Sequence, residues 1–576
     1  MKLRNNNLAQ LESTTFDALI VGGGINGAVC ASALSSQGAH VALIDQGDFA
    51  GFTSQESSNL VWGGIKYLEG GEVGLVRKLC VSRNRLLDTY PSSVREIRFF
   101  TTIEPGFRRS RAALFAGSLL YWGIGDFRTA RPRLLSRADI ERDEPVVDPR
   151  GGPGGIEYSD AYLVDNDARF VFNFIRAALD HGAIIANYVR SLGTRRDADG
   201  TWVTRVRDRV GKREFEVRSR VLINACGPLV DAHNRTHGQE TRHHHVFSKG
   251  VHLIVDRITD SPRVLTFFAD DGRLFFVIPL GPKSCLGTTD TPVERVPPVV
   301  TPEDRRFILD NVNKRLRLPR PLTEADIIAE RCGARPLVVA NHKDGRAADP
   351  NADWLSLSRK HEIEVDHEHR HVSIFGGKLT DCLNVGEEVS DAVRALGVDL
   401  PYYGVRWYGE PPDEIRDEYF HQARLMGLDE RTAKESSEPI STRLWRRYAA
   451  SALTLLDDIR QEPSMAEVLI HGTEYIRCEL HYAARREMVV KLEDFLRRRS
   501  KIALIAHKQK IQRSIGLMEA CKILFGEEAQ AKFDEYFAEL ARRESVDPPP
   551  MSELDSESEL DTGAAAGPAP IRSTAR

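Results

Sequence analysis

Residues 16–28, FDALIVGGGINGA, constrain the fold of this chain more than any other segment. The β-rich run 16–21 leads into Gly22, Gly24 and Gly27 and then into a small-residue helix pattern through Ala28, Ala31, Ala33 and Leu34, which reads as strand, glycine turn, helix. A second apolar run, 40–44, ends in Asp45 and closes a βαβ unit of about thirty residues. In such a unit the first glycine permits the tight turn, the second lets backbone approach a pyrophosphate, and the third lets helix and strand pack closely. The helix N-terminus supplies partial positive charge to the phosphates. Asp45, 21 residues after Gly24, is placed to accept both ribose hydroxyls. Dinucleotide binding is the expected function of the unit.

Around it lies an ordinary globular composition. The 576 residues are 41% hydrophobic and 28% charged, which excludes disordered, collagen-like and disulfide-framework classes. Lys plus Arg number 79 against 83 Asp plus Glu, so no basic excess points to nucleic acid. The eight cysteines never form a C-x-x-C pair, which argues against a zinc cage or a redox dithiol and for buried thiols in a reducing, cytoplasmic compartment. Residues 1–15 are polar and carry no signal-peptide core, and no stretch approaches the ~20 apolar residues of a membrane-spanning helix.

Strand-like runs at 183–189, 201–206, 215–223, 251–255, 274–280 and 372–375 make the middle of the chain β-rich. From about Pro411 onwards the pattern is helical, with Leu480, Ala484, Met488, Leu492 and Leu496 forming an i+4 series that predicts one buried stripe. The tail 546–576, rich in Pro, Ser, Glu and Ala, lacks the apolar content to fold and is expected to be disordered.

Three further segments suit a bound nucleotide and a flat ring. The hydroxyl-rich loop 53–58 (TSQESS), with Thr53, Ser54 and Ser58, precedes Gly63 and Gly64, whose lack of side chains lets backbone approach a ring. The run 221–231 (VLINACGPLVD) ends its strand in small residues, among them Ala225 and Gly227. The run 373–380 (SIFGGKLT) passes from a strand through Gly376 and Gly377 to Leu379, Thr380 and a new helix, whose N-terminus suits the carbonyl end of an isoalloxazine.

Together with 155–168, 249–252 (KGVH), 333–337 (GARPL) and the C-terminal 475–504, these segments resemble, in order and over about residues 14–530, the successive motifs of the FAD-dependent glycerol-3-phosphate dehydrogenases. The resemblance implies an α/β, D-amino-acid-oxidase-like FAD-binding Rossmann-type domain (14–100, 155–235 and 345–400), an interleaved β-rich substrate domain (101–154 and 236–344) and an all-α C-terminal domain (411–545). It further implies non-covalent FAD and oxidation of sn-glycerol 3-phosphate to dihydroxyacetone phosphate by hydride transfer to flavin N5. Electrons would pass to membrane quinone from a site peripheral on the cytoplasmic face, and a homodimer is compatible with it.

Carried over residue by residue, the family's catalytic set falls on His252, Arg335 and Lys378, and its substrate-binding set on Arg359, Lys66 and Tyr67. Forked guanidinium donors suit a phosphate dianion, and an imidazole suits proton transfer at the C2 hydroxyl. The chain departs from the family pattern at Asn59 (usually Lys), Trp62 (His), Lys66 (Arg) and Asp381-Cys382 (Thr-Tyr). Lys66 keeps a positive charge and loses the fork, so phosphate geometry or substrate identity is where this chain departs from the family, and FAD binding is less affected. Two alternatives remain at this stage: a glycerol-3-phosphate oxidase using oxygen, and a FAD-containing binding protein with a drifted site.

Other charged features have simpler readings. His243–His245 and His367, His369 and His371 lack carboxylate or cysteine partners at ligand spacing, and alternation puts the last three on one strand face, so no metal is expected. Arg497, Arg498 and Arg499 end a helix, where cations meet the negative end of its dipole. Residues 109–128, about fourteen mostly apolar residues between arginines, suit either an interfacial helix at a lipid surface or a buried core helix.

Overall fold

The computed structural model describes residues 2–105, 107, 109–149, 151–269, 272–341 and 360–545. Arg359 and the tail 546–576 therefore lie outside the described residues.

The first layer is a sheet of eight strands whose centre is parallel: Ile184–Ala186, Val41–Ile44, Thr15–Val21, Glu214–Asn224 and His371–Phe375 lie side by side in that order. These strands are apolar on both sides because both faces are covered. Helices Ile25–Ser36, Asp167–Asp180 and Cys382–Ala395 bury one face through Val29, Phe170, Phe174 and Val389. The other face packs against Leu8 and Leu11 of the helix Lys2–Ser13 and against Trp202, Val206 and Phe215 of antiparallel strands.

The second sheet has ten strands and is mostly antiparallel. Its spine is the long strand His243–Asp256, paired over twelve positions with Ala329–Ala340 and flanked by Lys283–Gly287. Side chains alternate across a strand, so Val251, Leu253 and Val255 enter the core beneath helix Pro302–Arg315, while Gly250 and His252 face the opposite side. Strands Leu60–Val61, Val94–Ile103 and Gly154–Leu163 belong to this sheet although the sequence reading grouped residues 14–100 and 155–235 with the dinucleotide unit. Val94–Ile103 pairs antiparallel with Gly154–Leu163 along its whole length and parallel with Val264–Thr266, which draws all of them into the second sheet.

The C-terminal region is helical, with two cores of its own. The expected single stripe is interrupted: helix Arg477–Arg486 stops, Met488 takes φ +49°, and a π-helical turn Asp494–Arg499 follows. Leu480, Met488, Leu492 and Leu496 are buried as expected, on separate elements. The break has a hydrogen-bonding reason, because Asn187 donates to the Met488 carbonyl (2.9 Å) and Arg499 to that of Glu487.

Two other expectations are corrected. His367 and His369 lie in the turn between strands Glu362–Asp366 and His371–Phe375, so only His371 stands in a strand, buried beside His237 and Trp202. Among the described residues no group of three or more His, Cys, Asp or Glu is arranged to hold a metal. Helix Arg111–Ile124 is not a core helix: only Ser118 and Tyr121 are buried, and Leu120 is 56% exposed. No helix among the described residues is long and apolar enough to cross a membrane.

Candidate active site

The glycine turn is built by close backbone approach. Gly22 has φ +108°, and a Cβ there would lie 2.4 Å from the Ala225 carbonyl oxygen, so the end of the first strand abuts the end of its neighbour. A Cβ on Gly27 would lie 1.8 Å from the Gly22 oxygen, which welds helix to strand. Gly24 is different: a Cβ there meets only the Ser54 hydroxyl, at 3.3 Å, and that hydroxyl accepts from Ile25 N–H (3.0 Å) at the helix N-terminus. The spared volume in front of the first turn is where a phosphate fits. Asp45 accepts from Gly23 N–H (2.6 Å) and Gly47 N–H (2.8 Å), and burial pushes its carboxyl up to about 6 against those two bonds. Ala225 is buried, and Gly227 opens a short 3-10 turn with φ +57°.

The loop 53–58 is pinned to the second sheet and to helix Asp167–Asp180. Thr53 donates to the Ala334 carbonyl (2.9 Å), Ser57 N–H donates to Asp167 (2.9 Å), and Glu56 accepts from Cys332 N–H (3.1 Å). Ser58 is half-buried. Asn59, at φ +61°, donates to the Asp165 carbonyl (2.6 Å) and accepts from Arg331 (3.0 Å). Gly63 has a packing requirement of its own: a Cβ there would lie 2.2 Å from the Tyr121 hydroxyl, within the buried Tyr121–Asp160–Arg83 cluster. Gly64, at φ +82°, lies against the Tyr67 ring.

At the third segment, Gly376 and Gly377 take φ +62° and +100°, and Asn26 of helix Ile25–Ser36 donates to the Gly376 carbonyl (3.0 Å) across 350 residues of sequence. Leu379 and Thr380 form a 3-10 turn leading into Cys382–Ala395. Lys378 donates to the Tyr67 hydroxyl (2.8 Å), its ammonium 4.2 Å from the centre of that ring. Lys66 is half-buried on the same turn as Tyr67. Leu60, Trp62, Ile65 and Tyr67 pack with Ile254, Phe276 and Ile278 of the second sheet, which brings this turn onto the sheet face that carries His252.

On that face the register sets His252 opposite Arg331, Gly250 opposite Gly333 and Ser248 opposite Arg335. Arg335 is held by Thr288 Oγ1 (2.9 Å), the Thr289 carbonyl (3.1 Å) and Asp290 (3.2 Å), and its guanidinium occupies the volume that a side chain at Gly250 would fill. His252 is 3% exposed, and neither ring nitrogen has a hydrogen-bond partner. Burial, reinforced by the Arg335 and Arg331 guanidiniums, pushes it down to about 3. A buried imidazole left unpaired costs free energy unless something else engages it.

The chain matches the FAD dependent oxidoreductase family over residues 17–363, and the C-terminal domain of alpha-glycerophosphate oxidase over residues 399–522. Glycerol-3-phosphate dehydrogenase 2 of Mycobacterium tuberculosis is 31% identical over 504 residues, covering 86% of this chain and 82% of that protein. The chain belongs to the FAD-dependent glycerol-3-phosphate dehydrogenase family. Another relative, the aerobic glycerol-3-phosphate dehydrogenase of Staphylococcus aureus, is 28% identical over 518 residues, with 85% of this chain and 87% of that one covered. The fold is shared with the glycerol-3-phosphate dehydrogenase of Bacillus halodurans complexed with FAD (TM-score 0.68, 23% identity, 94% and 97% of the two chains covered).

The residues present fit FAD: an open glycine at a helix N-terminus, a carboxylate closing the second strand, and a left-handed glycine pair before a second helix. Several buried contacts around these loops escape sequence reading. Arg331 lies four residues before Arg335 in one strand, an even spacing that puts both on one face, and this was the signal available. The triple arginine does not end a helix at the surface. Arg498 and Arg499 are buried on Asp48 (2.7 and 2.8 Å), and Arg497 donates to the Gln55 carbonyl (2.8 Å) and pairs with Glu56 (3.2 Å). The C-terminal region thereby grips the cofactor-side loops. His361, which pairs with Asp381 (2.8 Å) and Glu388 (2.9 Å), is raised to about 9 because those carboxylates outweigh the cost of burial.

Proposed function

We propose that this protein oxidises sn-glycerol 3-phosphate to dihydroxyacetone phosphate, with FAD as the primary electron acceptor. The observation that carries the reading is the placement of a buried, unpartnered His252 on the same sheet face as the partly exposed Arg335. FAD when bound supplies the acceptor for the hydride leaving C2. The chain's own residues do the rest. His252, uncharged at neutral pH, takes the proton of the C2 hydroxyl through a free ring nitrogen. Arg335 exchanges part of its bonding to Asp290 for a charge-assisted grip on the phosphate, aided by Arg359. Lys378, oriented by Tyr67, and the neighbouring Lys66 add point charges at the opposite wall.

Gly22, Gly24, Gly27, Asp45, Thr53, Ser54, Ser58, Gly63, Gly64, Ala225, Gly227, Gly376, Gly377, Leu379 and Thr380 form the proposed FAD cradle, with Gly63 also packed against Tyr121. Electrons then pass to membrane quinone. The outward apolar side of helix Arg111–Ile124, between flanking arginines, supports a lipid surface as the place of exchange. Anaerobic titration of the purified yellow protein with glycerol 3-phosphate should bleach the oxidised flavin band. A band that no polyol phosphate bleaches would instead indicate a non-catalytic FAD protein, and rapid oxygen consumption without membranes would indicate an oxidase.

A further inference from the structure

We propose that Arg331 is a positioning residue for this reaction: its guanidinium, set opposite His252 in the strand register, adds to burial and to Arg335 in disfavouring protonation of the imidazole that accepts the substrate proton. The proposal rests on the reading of His252 as the base. Arg331 is 1% exposed, and its Nη1 is engaged by the Ser57 carbonyl and by Asn59 (3.0 Å). Its Nε and Nη2 have no hydrogen-bond partner, and its one carboxylate neighbour within ion-pair range among the described residues, Asp167, stands 3.7 Å away. Both Asp167 oxygens already accept backbone N–H groups, from Ser57 and Ala168.

The other charges packed around His252 pair among themselves. Lys249 on the same strand binds Asp304 of helix Pro302–Arg315, and Arg335 binds Asp290 beyond strand Lys283–Gly287. Glu56 of the loop pairs with Arg497 of the C-terminal turn, and Glu330 with Arg305. Lys66 comes from the turn that faces this sheet, Lys378 from the glycine-pair segment bonds to Tyr67 of that turn, and Cys285 is an uncharged thiol pushed up by burial. Arg331 thus stands opposite the imidazole with only a distant carboxylate against its charge, and it acts there together with Arg335. On the other flank the strand partner of His252 is Gly287, where a Cβ would lie 2.7 Å from the imidazole ring, so the ring packs directly on that glycine and meets no charge from it. Side chains directly opposite on paired strands stand roughly 5 Å apart, close enough for a charge in a partly desolvated site to move a titration by about one pH unit.

The test is anaerobic stopped-flow reduction of the bound flavin at saturating glycerol 3-phosphate, followed against pH, with flavin stoichiometry checked for every variant. Arg331→Met should move the acid limb of the limiting rate upwards by about one unit, and Arg331→Lys should restore it. Asp167→Asn, which removes the opposing charge and keeps an acceptor for Ser57 N–H, should move the limb downwards. Opposite signs from the two neutralising variants are what a merely structural role would not produce. If Arg331→Met fails to retain flavin, Arg331→Lys and Asp167→Asn decide the matter: a limb unmoved or raised by Asp167→Asn overturns the proposal. His252→Gln separates the two levels of the argument. Should that variant keep both rate and acid limb, the assignment of His252 as base is wrong; should it abolish them while Arg331→Met leaves the wild-type limb unmoved, only the role of Arg331 is refuted.

Discussion

Asp48→Ala removes the carboxylate on which both Arg498 and Arg499 of the C-terminal region close against the cofactor-side loop. Asp48 is fully buried and accepts from Arg498 Nε (2.7 Å), from Arg499 Nη1 and Nη2 (2.9 and 2.8 Å) and from Asn187 (2.9 Å). Burial alone would raise its carboxyl, but the Arg499 and Arg498 charges and hydrogen bonds overcome that and hold it below the usual carboxylate range. After substitution Arg498 keeps Asp494 (2.6 Å), whereas Arg499 is left with the Glu487 carbonyl and the face of Phe172. Stranding one buried cation in this way costs about 3–5 kcal/mol. At roughly 2–4 °C per kcal/mol, melting of the region that contains this contact should fall by about 6–20 °C.

The same loop supports the glycine turn, since Ala50 N–H donates to the Gly23 carbonyl (3.0 Å), so flavin should be released at the lower temperature too. Differential scanning fluorimetry read through both tryptophan and flavin emission measures the two together. A carboxyl lowered in the folded state contributes stability that is present above its unfolded value near 4 and lost as pH falls, so the gap between wild type and Asp48→Ala should narrow towards pH 3. The double variant Asp48→Ala/Arg499→Met should melt above Asp48→Ala, because the unpaired charge is gone as well. An Asp48→Ala protein that melts within a degree of wild type, with flavin bound, would refute the clamp.

Gly27→Ala places a methyl 1.8 Å from the Gly22 carbonyl oxygen, a backbone atom that cannot retreat cheaply, so the purified variant should be colourless and destabilised by at least about 1–3 kcal/mol; absorbance at the flavin maximum checks it. His233 and His371, both pushed down to about 3 first by burial and then by neighbouring histidines, should make urea midpoints fall as pH drops from about 6.5 towards 3, where the unfolded chain binds protons that the native state resists. His361, raised to about 9, acts in the opposite sense, its contribution complete below about 6.5 and lost as pH rises through 9. Arg335→Ala should retain FAD while apparent affinity for glycerol 3-phosphate falls tenfold or more, on the order of 1.5–3 kcal/mol for a charge-assisted clamp; unchanged steady-state kinetics would remove Arg335 from the site. Replacing Leu119, Leu120 and Trp122 together by Ser should abolish sedimentation with anionic vesicles while leaving flavin content and dye-linked activity intact, and a wild-type protein that never sediments would refute the lipid-surface reading.

What the sequence determined by itself is local. Strand, glycine turn and helix at 15–36, the acid closing the second strand, and the glycine pair before Cys382–Ala395 were legible because each depends on backbone conformations and periodicities that neighbouring residues impose. His252 and Arg335 were legible as members of ordered motifs, but they stand on different strands, and their common sheet face follows from the pairing register, which only the tertiary structure supplies. Where a buried residue finds its partner lies beyond that range. The arginines 497–499 carry the same helix-end signature whether they meet water or a carboxylate 450 residues earlier in the chain, and only packing placed Asp48 beneath them. Gly63 reads as a flat-ring contact, and its packing against Tyr121 shows only in the fold. The break at Met488 answers hydrogen bonds from Asn187 and Arg499, and the assignment of strand Val94–Ile103 to the second sheet answers a partner sixty residues away. Side-chain pairing and sheet membership are settled by burial, which removes water as the alternative partner, and burial is a property of the assembled tertiary structure rather than of any segment.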